Sequence, residues 1–124
     1  MARSLSTGSS KAGLAGTYKR YGGPVSSSGT TFYTTPNVTG DEISLIESVS
    51  CSNVSGSNIT VTVKVLNSAD SVISTLIEAA LLVSNTGLEV VQNKVVLQAG
   101  EKLQVTTNSN QNCHATIAVL EIDS

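Results

Sequence analysis

Aromatic residues are nearly missing from this 124-residue chain, which has no tryptophan, one phenylalanine and three tyrosines. All four, Tyr18, Tyr21, Phe32 and Tyr33, precede residue 34. The core must therefore be assembled from Val, Ile, Leu and Ala, each fully buried side chain contributing about 1.5–3 kcal/mol, and a small domain built that way keeps a narrow margin of stability. The same shortage leaves no aromatic platform for sugars beyond Tyr33, so the scattered glutamates do not read as a glycosidase pair. Histidine is represented by His114 alone and cysteine by Cys51 and Cys113. A Ser/His/Asp or Cys/His constellation has little to draw on. His114 next to Cys113 makes a poor metal pair, because adjacent strand residues point to opposite faces. No run of eighteen apolar residues suggests a membrane span, the first residues lack the apolar centre of a secretory signal, and no Gly-x-Gly-x-x-Gly or Gly-Lys-Ser follows a strand to cradle phosphate. No catalytic, metal or cofactor site is assigned, and an enzyme is not expected.

Acidic residues are absent from the first forty positions, where Arg3, Lys11, Lys19 and Arg20 stand unopposed. Residues 41–124 hold three lysines against all nine acids, a net charge of −6 concealed within the overall −2. Residues 1–30 are also dense in Gly and Ser, a composition that cannot by itself bury enough apolar area to offset the entropy of ordering. The expected organisation is an extended basic arm over residues 1–40 and a folded domain over 41–124, an arrangement suited to docking on a larger surface. Tyr18, Lys19, Arg20 and Tyr21 interleave aromatics with cations. Such a cluster can stack on single-stranded nucleic acid, but four positive charges are few and the acidic domain repels phosphate. A protein surface is the better partner, with Arg3, Lys11, Tyr18, Lys19, Arg20 and Tyr21 as docking residues.

Past the arm the hydropathy alternates. Ile59, Val61, Val63 and Val65 alternate with Thr60, Thr62 and Lys64, the pattern of a half-buried strand. A strand over about 43–52 is expected before it, joined through the turn formers of 53–58 as a hairpin, with a bulge where Leu45 and Ile46 break the alternation. Residues 72–83 also fit a helical period, yet their flanking strands favour an extended reading. Short strands are expected over 88–91, 95–97, 103–106 and 113–122, and such spacing with no long amphipathic helix predicts an all-β antiparallel β-sandwich, jelly-roll or immunoglobulin-like, behind an extended N-terminal arm.

The final strand is apolar on both faces, which implies that it is covered twice, by the opposing sheet and by the arm or a neighbouring subunit, of which a subunit is favoured. Ile117, Val119, Leu120 and Ile122 are therefore candidate subunit-contact residues. The two cysteines read as buried free thiols, while a bond between them requires a register that sets Cys51 opposite Cys113, Glu47 opposite Ile117 and Leu45 opposite Val119.

Phe32 to Pro36, the strand ending in Cys51–Asn53, the Val/Thr strand 58–66, and the run from Leu88 through Lys94–Val105 closing on Ala115–Ile122 together resemble small β-sandwich structural proteins of tailed bacteriophages. The resemblance covers about residues 31–122 and contains no catalytic residue. It implies a virion location after synthesis in the host cytoplasm, and a capsid decoration or cement role on the major capsid protein or other virion proteins. A homo-oligomer is implied, with a trimer among the candidates. A neck, tail or fibre component is the alternative within that class, and a carbohydrate- or nucleic-acid-binding module is the alternative outside it.

Overall fold

The computed structural model describes residues 16–90 and 94–122. Within them the chain forms nine strands: β1 (Gly16–Pro24), β2 (Thr30–Thr34), β3 (Ile43–Asn53), β4 (Ile59–Leu66), β5 (Val72–Leu82), β6 (Gly87–Glu89), β7 (Val95–Gln98), β8 (Lys102–Thr107) and β9 (Cys113–Ile122). One sheet has the order β1-β9-β3, with β6 and β7 both pairing the far side of β3; the other runs β2-β8-β4-β5. All the pairings are antiparallel. The nesting is that of one long folded hairpin: β4 pairs β5, β3 pairs β6 and β7, β2 pairs β8 and β1 pairs β9. Rolling that hairpin adds the β3–β9 and β4–β8 contacts and makes a jelly roll, which decides between the two sandwich types expected.

The inward faces supply the aliphatic core that the shortage of aromatics demands. Ile46 and Val49 from β3, Ile117 and Val119 from β9, Val61 and Val63 from β4, and Leu103 and Val105 from β8 are all fully enclosed. The β3–β9 register shifts between Ile46 and Ser48, so the bulge read at Leu45 and Ile46 falls one residue later and restores the apolar face. Residues 53–58 do not close a hairpin as expected. They carry the chain from one sheet to the other, and the buried Asn53 fastens the crossing by donating to the carbonyls of Ser57 and Leu82 while accepting from the N–H and hydroxyl of Ser55.

The helix-like spacing in 72–83 has a geometric cause. The β4–β5 register shifts three times, each shift placing one extra residue in β5. Two of these bulges turn a period-two alternation into apolar doublets, Val72 with Ile73 and Leu76 with Ile77, and the third falls between Ile77 and Ala80, whereas Leu81 and Leu82 pair regularly with Thr60 and Ile59. The bulges also twist this exposed edge strand away from regular pairing, one of the devices by which edges avoid adding further strands. Between β7 and β8, Gly100 takes φ 80, a left-handed conformation that a side chain would resist.

Residues 16–34, which the sequence places in the arm, form β1 and β2. A strand that pairs with β9 or β8 needs no core of its own, so its Gly/Ser surroundings do not keep it out of the fold. Val25, which follows β1, and Tyr33 in β2 are buried in the common core. Arg3 and Lys11 lie outside the described residues.

Candidate assembly interface

Strand alternation sorts the proposed contact residues into two faces. Ile117 and Val119 are 0% exposed and point into the sandwich, so they are core residues and not subunit contacts. Leu120 and Ile122 lie one position along from Val119 and Glu121, on the outer face of the sheet, where they are half-buried. Tyr18 stands directly opposite Leu120, Leu120 opposite Leu45, and Leu45 opposite Val96. The row Tyr18–Leu120–Leu45–Val96 thus crosses the whole sheet from β1 to β7, with Tyr18 75% and Val96 56% exposed at its two ends. Ile122 and Ile43 are paired in the next row, and Ala118 stands opposite Arg20 in the row on the other side.

The rest of this outer face is polar, carrying Ser50, Ser52, Thr116 and His114 in register across β3 and β9. The outer face of the other sheet is polar over β2, β8 and β4, where Thr31, Gln104, Lys64 and Thr75 form one row and Thr62 faces Thr106 in another, and its exposed apolar residues, Ile73 and Leu81, lie on the edge strand β5. One side of the sandwich therefore presents an apolar band that crosses four strands, and the other confines its exposed apolar residues to the edge strand β5.

The cluster of four arm residues is divided by the same alternation. Tyr18 and Arg20 face outwards. Lys19 faces inwards, where its Nζ lies 2.9 Å from Glu121 Oε1. Tyr21 packs on Tyr33 with ring centroids 5.4 Å apart. The Tyr33 hydroxyl donates to Glu121 Oε2 at 2.5 Å and accepts from Ser44 Oγ at 2.7 Å, so Lys19, Glu121, Tyr33 and Ser44 tie β1, β9, β2 and β3 together at one end of the core. Burial and the hydrogen bond to Glu121 push the Tyr33 hydroxyl well above the usual tyrosine range. Lys19 and Tyr21 thereby act within the domain, a role that one-dimensional charge and aromatic spacing does not distinguish from docking.

Leu45, Val96 and Ile43 were not among the contact residues anticipated from sequence. The signal for them was the same as for the final strand: consecutive apolar residues at 45–46 and 95–97 make their strands apolar on both faces.

The two cysteines are free and fully buried. Cys51 is opposite Ala115 and Cys113 opposite Asn53, two residues away from the register that would set them face to face, so the thiols meet diagonally. The neighbouring Cys113 and burial hold the Cys51 thiol far above the ordinary range. Among the described residues no three His, Cys, Asp or Glu side chains gather where they could hold a metal ion, and no helix is long and apolar enough to cross a membrane.

No known protein family matches the sequence, and no curated protein matches it. Solved structures share the fold, among them the following two. A structure of Bacillus endospore appendages, described as a novel family of disulfide-linked pili, superposes with a TM-score of 0.55 at 6% identity, covering 90% of this chain and 88% of that one. The structure of infectious bursal disease virus Gx strain gives a TM-score of 0.51 at 10% identity over 88% of this chain and 32% of the viral one. The folds alike are thus those of a pilus and a capsid, neither of them from a tailed bacteriophage.

Proposed function

We propose that the chain is a non-enzymatic structural protein of a virion, a capsid decoration or cement protein that docks on the major capsid protein. The observation that carries this reading is the contrast between the two outer faces. An apolar band four strands wide, opposed to a face that is polar over β2, β8 and β4 and apolar only at its β5 edge, suits a domain covered by protein on one side and by water on the other. The likeness of fold to a pilus and a capsid agrees with such a role, and the resemblance to tailed-phage sandwich proteins supplies the finer assignment. Arg3 and Lys11, in the segment before β1, and Arg20 at the sheet edge are the cations that reach the capsid surface; Lys19 is engaged by Glu121.

The test is gradient sedimentation of particles from cells that make the protein. Co-migration with heads, with release as salt rises towards about 1 M, where the screening length falls to roughly 3 Å, is the expected result. Co-migration with tails moves the protein to a neck, tail or fibre role. A chain that stays at the top of the gradient rejects a virion function.

A further inference from the structure

We propose that the apolar outer face of the β1-β9-β3-β7 sheet closes on the same face of a second copy of this chain, about a twofold axis that runs along the strands between β9 and β3. The proposal rests on the reading of the protein as an assembly subunit and names the occupant of its interface.

The order of the apolar row selects that occupant. Reading across the sheet, the outward residues are Tyr18, Leu120, Leu45 and Val96. A twofold axis through the middle of the row lays Tyr18 on the partner's Val96 and Leu120 on the partner's Leu45, so the bulkiest side chain meets the smallest and the two leucines meet each other. The axis preserves position along the strands. The apolar end, with Ile43 and Ile122, therefore covers its own kind, and the end bearing Ser50, Ser52 and Thr116 covers another polar end. Arg20, level with Ala118 and Ser48, is brought to the level of the partner's Glu47, about one strand spacing across the face. In each copy Glu47 is only loosely engaged, by Lys94 at 3.7 Å, which leaves its carboxylate able to accept from a second cation.

The area sets the strength. Strands roughly 4.8 Å apart, rising about 3.3 Å per residue over the 9, 10, 11 and 4 residues of β1, β9, β3 and β7, give this face about 540 Å² per copy, or roughly 1,100 Å² for the pair. That lies just under the range of stable specific complexes, among weaker reversible ones, so the dimer dissociates at concentrations on the order of micromolar or above.

Sedimentation equilibrium of the full chain from about 1 to 500 μM reads this directly, with a monomer–dimer transition expected in the micromolar range. Leu120→Asp, checked for folding by circular dichroism, is expected to raise the dissociation constant at least about 100-fold, whereas Thr106→Asp on the polar sheet leaves it unchanged. The axis has its own test. Mixing Tyr18→Cys with Val96→Cys chains yields a disulfide-linked heterodimer, while neither variant links to itself, because like residues lie roughly 14 Å apart across the face. A monomer at every concentration, a dimer indifferent to Leu120→Asp, or self-linking of the Tyr18→Cys chain overturns the proposal. A monomer that still co-migrates with particles rejects this dimer and leaves the virion role standing; a dimer that never joins particles does the reverse.

Discussion

Replacing Tyr33 by Phe removes one oxygen from the polar cluster that ties both sheets together, and the cost follows from its partners. The lost hydroxyl is a 2.5 Å donor to Glu121, whose side chain is only 14% exposed, and the acceptor for the buried Ser44. A hydrogen bond to a charged group contributes about 1.5–3 kcal/mol, and the phenyl ring keeps the packing on Tyr21, so the expected loss is about 2–3 kcal/mol. For a domain near this size about 4 °C of melting temperature accompanies each kcal/mol, which predicts a fall of about 10 °C in a thermal melt followed by circular dichroism. Glu121→Gln alone also destabilises, and the double variant loses less than the two singles together, with a coupling of about 1–2 kcal/mol. A Tyr33→Phe protein that melts within about 2 °C of the parent, or strictly additive effects, refutes the claim that this cluster clamps the sandwich.

Four further outcomes are expected. Tyr33 retains its proton in the fold at pH values where an ordinary tyrosine, with a pKa of 10.0, has lost it; the unfolded chain then binds fewer protons, so stability falls by about 1.4 kcal/mol per unit as pH rises above 10, and urea midpoints across that range should flatten in Tyr33→Phe. Glu42 accepts from the N–H groups of Thr39, Val38 and Gly40, and these hydrogen bonds lower its pKa from 4.5 to about 2; protection of the amides at 38–40, taken relative to their intrinsic exchange rate at each pH, should be high above pH 4.5, fall as pH approaches 2, and be low throughout in Glu42→Gln. Native protein should show no thiol reactive to an aromatic disulfide reagent and two after denaturation without reductant; none after denaturation would mean that Cys51 and Cys113 are bonded. Removing residues 1–15 should leave the melt within about 2 °C of the parent, whereas removing 1–25 takes away β1 and the buried Val25 and should cost at least about 3 kcal/mol; a cooperative, parent-like melt of the shorter chain would show that β1 is dispensable.

Seven of the nine strands were legible as alternation or apolar runs, because each carries its own buried face. β1 and β2 were not, since their places are fixed by β9 and β8, partners at least 68 residues away, and Gly and Ser between them dilute any local signal. The bulges of β5 hid behind a helical period for a reason that only pairing shows. For the apolar outer face, the doubled apolar pattern of residues 113–122 was the clue, but parity along a strand cannot say which face is inside until a second sheet is in place. Ile117 and Val119 fell inward, Leu120 and Ile122 outward, and Tyr18 reached Leu120 only through the β1–β9 register.

An image of the native assembly at side-chain resolution tests the central claim most directly. The account predicts that Tyr18, Leu45, Val96 and Leu120 are covered by protein while Thr62, Gln104 and Thr106 face solvent. The reverse orientation, or a chain found apart from any assembly, would contradict it.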